Sequence, residues 1–285
     1  MKRQLIVAAL AASLSIAVPA LAASAFKVEV TGTGPAVILI PGLASSGEVW
    51  QGTVQHLCGP RQCHVLTLAG FAGQPAIDGD LLPQVESQLA GYIAANKLGQ
   101  PVVIGHSLGG YLALRFAAAH PEMVGKLVIV DALPALGATQ VPNITAEQLR
   151  QMAAGTRDQI LASDDATHAA NQRRAVATMA SKTEDVERIA GWGQRSDRKA
   201  VAGAMYELMA NDLREDIAKI KAPTLVLGTW VAYKDFAPRA AIEQVYRMQY
   251  AKLPGAQVEM AEKARHFIMY DDPAWMYDRI DRFLK

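Results

Sequence analysis

The chain has 285 residues, of which 51% are hydrophobic and 19% are charged. This composition is ordinary for a globular protein with one large domain, and the length is sufficient to bury a full core. Lys and Arg total 28 against 27 Asp and Glu, and neither sign is concentrated in one segment. This balance lacks the basic footprint of a nucleic-acid-binding protein, so we expect no nucleic-acid partner.

Residues 1–25 have the pattern of a secretory signal peptide. The charged start MKRQ is followed by the apolar stretch LIVAALAASLSIAVPALA, and two A-x-A cleavage motifs end at Ala22 and at Ala25. An uncleaved membrane anchor is the alternative, because residues 5–22 approach the length that spans a bilayer. Since the stretch is rich in Ala and Ser and Pro19 precedes the motif, we expect cleavage, export to the periplasm or the medium, and no stable membrane insertion of the mature chain.

Two cysteines, Cys58 and Cys63, are present in the segment LCGPRQC. An oxidising compartment would allow them to pair, and closing so short a loop would stabilise the fold by about 2 kcal/mol. Two buried thiols are an alternative. A metal site is disfavoured, because a C-x4-C pair needs more ligands nearby than His64.

After the signal, strand and helix patterns alternate along the chain. KVEVTGTGPAVILIPGL predicts a strand, a glycine turn and a buried strand, and SSGEVWQGTVQHLC has helical spacing. HVLTLAGFAG predicts a strand that runs into a loop, and DLLPQVESQLAGYIAANKL is an amphipathic helix. PVVIG and KLVIVD are apolar strands that flank the helix HSLGGYLALRFAAAHP. Apolar strands alternating with helices predict a mostly parallel central sheet covered by helices on both faces, which is an α/β fold.

The alternation stops over residues 136–195, where helical segments rich in Ala, Gln, Met and Arg follow one another. It resumes with the helix SDRKAVAGAMYELMANDLREDIAKI, the strand APTLVLG, the helix RAAIEQVYRMQYAKL, the strand AQVEMA and the helix DPAWMYDRIDRFLK. We therefore predict a helical cap at 136–195, inserted between two parts of one core, 26–135 and 196–285.

The pentapeptide GHSLG at 105–109 fits the G-x-S-x-G pattern of a nucleophile elbow, with a buried strand before it and a helix after it. Such a turn is sharp, so the residues two before and two after the serine must be tiny. Gly105 and Gly109 meet that requirement. The context predicts that Ser107 is a catalytic nucleophile, with a simple helix N-cap as the alternative.

A serine nucleophile needs a base, and in this order of elements the base follows it in the chain. His120 lies a helix length away from Ser107 and is expected to cap its helix, while His168 falls in the inserted region and is expected at the surface. His266 lies in a loop after the last strand. We predict that His266 is the base, the alternative being a histidine that only packs.

An acid must orient the imidazole, and the ends of two strands offer one. Asp235 follows the strand TLVLG and is our first choice. Asp131 ends the strand KLVIVD and stays open as an alternative, because the loop from Gly228 to Asp235 is longer than the role needs. Asp271 and Asp272 precede a proline and are expected to cap the last helix.

Two backbone N–H groups are candidates for an oxyanion hole. The N–H of Leu108 begins the helix after the serine. The N–H of Leu43 follows Pro41-Gly42 at the end of an early strand. The alternative for the second position is that Pro41-Gly42 only closes the strand.

The order strand, oxyanion loop, G-x-S-x-G elbow, helical insertion, strand with acid and loop with histidine resembles the α/β-hydrolase superfamily, and its single-cap serine esterases in particular. The resemblance runs from about residue 26 to residue 285. It implies the α/β-hydrolase fold and a serine hydrolase with Ser107, Asp235 and His266 as triad. Two features depart from the family: Pro41 stands where many members have histidine, and the loop holding Asp235 is extended.

The expected substrate is a small-molecule acyl compound, with a carboxylic ester first and a lactone, amide or peptide N-terminus as alternatives. Relatives that cleave carbon–halogen bonds or epoxides would carry aspartate at position 107. No cofactor or metal is expected, because side chains and backbone supply every step. Met152, Met179, Trp192 and Met205 are candidates for an apolar acyl pocket, although such residues at helical spacing more often form core. The rival from another class is a non-catalytic periplasmic binding protein. The sequence leaves the oligomeric state open.

Overall fold

The computed structural model describes residues 23–139 and 144–285. Most of the predicted signal peptide therefore lies outside the described residues. Across the described ranges, no helix is both long enough and apolar enough to cross a membrane.

Within residues 23–139 and 144–285, seven strands form a single sheet. They are β1 (Phe26–Thr31), β2 (Ala36–Ile40), β3 (Gln62–Leu68), β4 (Val102–His106), β5 (Lys126–Val130), β6 (Thr224–Thr229) and β7 (Gln257–Ala261). Their spatial order is β1-β3-β2-β4-β5-β6-β7, with β1 antiparallel to β3 and every other pair parallel. The prediction of a mostly parallel sheet is confirmed. Because β4, β5 and β6 are neighbours, the residues at their carboxyl ends meet at one edge of the sheet.

In the part of the chain that the structure describes, ten α-helices accompany the sheet. They are α1 (Gln51–Leu57), α2 (Leu81–Ala95), α3 (Leu108–Ala119), α4 (Ala146–Ala162), α5 (Asp165–Met179), α6 (Thr183–Gln194), α7 (Arg198–Ala210), α8 (Arg239–Gln249), α9 (Ile268–Asp271) and α10 (Pro273–Leu284). Side chains of α2, α3 and α8 share one buried cluster, and those of α1 and α10 share a second. Alternate strand residues supply the two: Ile38 belongs to the first cluster, and Val37 and Leu39 to the second. The apolar strands are thus explained by burial on both faces.

Helices α4 to α7 stand between β5 and β6, where the sequence predicts a helical cap. Helix α4 packs along α7, and α5 packs against α6. The helical region continues past residue 195, since α7 begins at Arg198 and is a partner of α4. The amphipathic stretch after 196 therefore packs on the insertion as well as on the core helix α2.

Cys58 and Cys63 form a disulfide with Cα atoms 5.7 Å apart. Cys58 caps the end of α1, and Cys63 lies in β3. The bond therefore ties a helix end to the next strand, as the close spacing in the sequence allows.

Glu207 of α7 is a buried carboxylate that joins the cap region to the core. One oxygen, Oε1, accepts the backbone N–H of Leu81 at 3.0 Å, and the other, Oε2, accepts that of Leu82 at 3.2 Å, at the N-terminus of α2. Burial raises the pKa of Glu207 to about 7, against the opposing effect of these N–H groups. Asp80 raises the pKa further, and Arg115 lowers it.

This raised pKa predicts a pH-dependent contribution to stability. The folded chain keeps a proton on Glu207 that the unfolded chain releases above its ordinary pKa of 4.5, so the contribution is full below pH 4.5 and is lost as the pH rises through 7. Glu207→Gln cannot titrate. We compare the unfolding free energy of the Glu207→Gln variant with that of the unsubstituted chain in urea titrations. The difference should shift in favour of the variant by on the order of 2 kcal/mol between pH 4.5 and pH 8. The exposed Glu184→Gln serves as control, and parallel pH curves for Glu207→Gln and the unsubstituted chain would contradict the prediction.

Candidate active site

Ser107 lies at the junction of β4 and α3 with a backbone conformation that non-glycine residues rarely adopt, φ 53° and ψ −121°. The backbone N–H of Ser107 donates to the carbonyl oxygen of Val130 at the end of β5 (3.0 Å). The serine itself is half-buried. A strained, accessible serine between a strand and a helix has the geometry of a nucleophile elbow.

The two glycines of the motif are required by close backbone approach. A Cβ added to Gly105 would lie 2.2 Å from the carbonyl oxygen of Gly109, and one added to Gly109 would lie 2.3 Å from that of Ile40. Both distances are far below contact distance. The small residues predicted on either side of Ser107 are therefore explained by the turn itself.

The loop after β2 lies directly against this turn. A Cβ on Gly42 would lie 3.2 Å from the Cβ of Ser107, so only a residue without a side chain fits there comfortably. The hydroxyl of Ser45 donates to the carbonyl oxygen of Leu43 (3.2 Å). This hydrogen bond fixes the backbone of the loop that lies against Ser107. Leu108 is the first residue of α3, where an N–H has no acceptor within the helix. Of the two predicted backbone donors, Leu108 directly follows Ser107 and Leu43 belongs to the loop that lies against the turn.

His266 lies in the loop after β7, and its imidazole is oriented by a carboxylate. The Nδ1–H donates to Oδ2 of Asp131 at 2.6 Å. With Nδ1 engaged in this way, Nε2 is the atom left to exchange a proton. Among the described residues Ser107 Oγ forms no hydrogen bond. Hydrogen bonds between catalytic groups are often long in the absence of substrate and tighten when it binds.

Asp131 is held by three further donors. The backbone N–H of Thr229 donates to Oδ1 at 3.0 Å, its hydroxyl lies 3.0 Å from each carboxylate oxygen, and the hydroxyl of Tyr246 donates to Oδ1. Burial by itself would raise the pKa of the Asp131 carboxyl, but the hydrogen bonds from His266 and Tyr246 outweigh it and hold the pKa below its ordinary value of 3.8. Asp131 is therefore an ionised, almost fully buried acceptor.

The first choice of acid, Asp235, is corrected by the structure. A short helical turn at Val231–Tyr233 follows β6 and carries the loop outward, so that Asp235 is exposed. Within the described residues its side chain makes no hydrogen bond or ion pair. Asp131, the alternative, takes the place beside His266 because it directly follows β5, which lies between the serine strand β4 and β6. The end of β6 contributes the donor Thr229 instead of the acid.

His106 is a site residue that sequence reasoning missed. It is fully buried, and burial lowers its pKa to about 3, with His266 adding to the effect, so the ring is neutral at ordinary pH. Its Nε2–H donates to the carbonyl oxygen of His266 (3.1 Å), and the two ring centroids are 4.5 Å apart. The segment carrying His266 is thereby fixed on the elbow of Ser107. The sequence pattern assigns His106 to the start of the helix HSLGGYLALRFAAAHP, whereas the structure has it as the last residue of β4. No pattern in the sequence signals its contact with His266.

The two histidines that the sequence disfavours as bases, His120 and His168, lie outside this site. His120 is the C-terminal cap of α3, as expected, with its ring 4.9 Å from Phe116. His168 lies in α5, half-buried, and its pKa is lowered by burial and by Arg198.

Two of the four candidates for an apolar acyl pocket, Met179 and Trp192, have packing roles. Trp192 is fully buried and its indole N–H donates to Glu48 (3.2 Å), which attaches the cap to the core. Met179 packs against the second buried cluster. Met152 and Met205 are half-buried on α4 and α7.

Comparison with known proteins gives a family, a relative and two structures. A model described as the alpha/beta hydrolase family matches residues 37–279. A pimeloyl-[acyl-carrier protein] methyl ester esterase of Aeromonas hydrophila is 27% identical over 268 residues, which covers 90% of this chain and 98% of the relative. A thermophilic esterase from Thermogutta terrifontis has a TM-score of 0.72 at 21% identity, with 91% of this chain and 92% of that one covered. A bromoperoxidase from Bacillus anthracis has a TM-score of 0.74 at 16% identity, with 91% and 95% covered. At these identities the two structures establish a shared fold.

Proposed function

Since the chain belongs to the alpha/beta hydrolase family and is a hydrolase, we propose that it is a serine esterase that cleaves carboxylic esters through a covalent acyl-enzyme. Ser107 is the nucleophile, His266 the general base and Asp131 the orienting acid. The backbone N–H groups of Leu43 and Leu108 form the oxyanion hole. The residues of this proposal follow the carboxyl ends of β2, β4, β5 and β7.

The reaction has two balanced halves. His266 Nε2 takes the proton of Ser107 as Oγ bonds to the ester carbon, and the two N–H groups stabilise the charge that develops on the carbonyl oxygen. The imidazolium then gives its proton to the departing alcohol, which leaves the acyl group on Oγ. A water molecule, deprotonated by the same nitrogen, attacks the acyl carbon, and the acid is released as Oγ recovers the proton.

The observation that carries this proposal is the 2.6 Å hydrogen bond between His266 and a buried, ionised Asp131, on a segment fixed against a strained Ser107. A non-catalytic binding protein does not need an oriented imidazole beside a strained serine. Backbone strain and a buried carboxylate both cost stability, so their presence together supports catalysis.

An ester is proposed as the substrate because the relative from Aeromonas hydrophila is named as a methyl ester esterase. A panel of short and medium acyl esters, lactones, amides and amino-acid anilides tests this choice. We expect the esters to give the highest kcat/KM.

The test of the proposal is labelling with a fluorophosphonate, which reacts with activated serines. We expect the folded protein to be modified at Ser107, and His266→Ala to abolish the reaction while His120→Ala leaves it intact. Peptide mapping by mass spectrometry identifies the modified residue. Folded protein that takes up no label would favour the binding-protein alternative.

A further inference from the structure

The two residues on either side of His266 are both hydrogen-bonded through their backbone N–H groups. The N–H of Phe267 donates to the carbonyl oxygen of Met179, the last residue of α5 in the cap (3.1 Å). The N–H of Arg265 donates to Oδ2 of Asp271 (2.8 Å). Besides its contacts with Asp131 and His106, the segment of His266 is therefore held on both sides, by Met179 and by Asp271.

Asp271 also binds the cap. Its Oδ1 accepts the backbone N–H of Ser181, and its Oδ2 accepts the hydroxyl of Ser181, both at 2.9 Å. Ser181 lies in the turn between α5 and α6. A single half-buried carboxylate thus receives three donors, two from the cap turn and one from the residue before His266. Hydrogen bonds to an ionised acceptor are stronger than those between neutral groups.

The expectation that Asp271 caps the last helix is corrected here. The N-cap of α10 is Asp272, and its side chain makes no capping hydrogen bond. Asp271 is the last residue of the short helix α9, and its carboxylate is directed to the loop and the cap turn instead.

Helices α5 and α6 of the cap make further contacts with the residues around His266. The guanidinium of Arg265 donates to the carbonyl oxygen of Ala177 in α5 (3.0 Å). The guanidinium of Arg188 in α6 lies 5.4 Å from the ring centroid of Tyr270. Apolar side chains of both parts belong to one buried cluster: Val176, Ala180, Val186, Phe267, Ile268 and Met269. The α5–α6 hairpin is therefore packed on the segment that carries the imidazole.

We propose that Asp271 is a positioning residue that locks the His266 segment to the α5–α6 turn, so that placement of the base depends on docking of the cap. The inference rests on the proposed function, in which His266 is the base. Asp271 acts through His266 and does not contact the reacting atoms. When the lock is removed, the imidazole keeps its contacts with Asp131 and His106, but the backbone before it loses its anchor. A displacement of about 1 Å at a catalytic group can lower a rate by about 100-fold.

The experiment compares Asp271→Asn with Asp272→Asn in the full chain. Asparagine keeps the size of the side chain but removes the charge and replaces one acceptor with a donor, which opposes the N–H groups of Arg265 and Ser181. We expect kcat for a short-chain ester, per site titrated with fluorophosphonate, to fall about 10- to 100-fold. KM should change by less than about 3-fold, because Asp271 acts through the base in the transition state and not on binding of the ester. Asp272→Asn should match the unsubstituted enzyme.

Ser181→Ala tests the cap side of the lock with little risk to folding, because Ser181 is exposed. It removes one of the three hydrogen bonds, so we expect a smaller fall in kcat with the same sign. The far-downfield proton resonance of the imidazole Nδ1–H should broaden or shift in Asp271→Asn and stay in place in Asp272→Asn.

The possible results separate this inference from the proposed function. Unchanged kcat per titrated site in Asp271→Asn overturns the positioning role, whatever happens to the melting temperature. A fall in Asp271→Asn with none in Ser181→Ala overturns the link to the cap. If the unsubstituted protein takes up no label at Ser107, the proposed function fails on its own, before the variants are compared.

Discussion

Ser107→Ala is expected to lower kcat for ester hydrolysis by five to six orders of magnitude, and His266→Ala by about as much. Alanine at position 107 removes the atom that bonds to the acyl carbon, and alanine at position 266 removes the base that makes that atom reactive. Since the two residues act in one step, the double variant should be no slower than either single variant. Residual activity would come from substrate binding and the N–H groups of Leu43 and Leu108.

The measurement is kcat for purified variants on a soluble short-chain ester, with circular dichroism and thermal melting to verify the fold. Matched controls are Ser87→Ala on the exposed face of α2 and His120→Ala at the end of α3, and neither should alter kcat. Full turnover in Ser107→Ala would end the proposal. Losses that multiply in the double variant would mean that Ser107 and His266 act independently, which a nucleophile and its base cannot do.

The nucleophile could be predicted from the sequence because its requirements are local. A strand, a sharp turn and a helix are encoded within about fifteen consecutive residues, and the turn demands small neighbours at fixed positions. The structure supplies the reason, since Gly105 and Gly109 approach other backbone atoms too closely for any Cβ. His266 could also be predicted as the base, because chain order and its place in a loop after the last strand left few candidate histidines.

The acid could not be settled from the sequence, because two aspartates follow two adjacent strands. Which of them reaches His266 depends on the course of the loop after β6, and a helical turn there takes Asp235 to the surface. The local signals in favour of Asp131 are that no loop separates it from its strand and that the loop before Asp235 is longer than the role needs.

The groups that support the site were also beyond reach of the sequence. Tyr246 on α8 meets Asp131 across 115 positions, and Ser181 meets Asp271 across 90. Contacts of this kind depend on how helices settle on the sheet and leave no periodic pattern. Asp271 even had a plausible local role as a helix cap, which the fold does not use.

Asp131→Asn is expected to lower kcat by about four orders of magnitude, while Asp235→Asn leaves it unchanged. The reason lies in the donors around the carboxylate. Thr229 and Tyr246 both need an acceptor, so the amide oxygen of asparagine will face them and its NH₂ group will face His266. An NH₂ group there requires Nδ1 to accept a hydrogen bond. The proton then resides on Nε2, which can no longer take one from Ser107.

The comparison uses kcat of both asparagine variants on the same ester, at a pH where the unsubstituted enzyme is fully active. Both substitutions keep the side-chain volume and remove one negative charge, so Asp235→Asn controls for the general electrostatic effect. The fluorophosphonate labelling rate should fall in parallel with kcat in Asp131→Asn, because both depend on an Nε2 that accepts the serine proton. The reverse order of effects, with Asp235→Asn inactive and Asp131→Asn active, would restore the exposed loop as the source of the acid and would require that loop to fold inward when substrate binds.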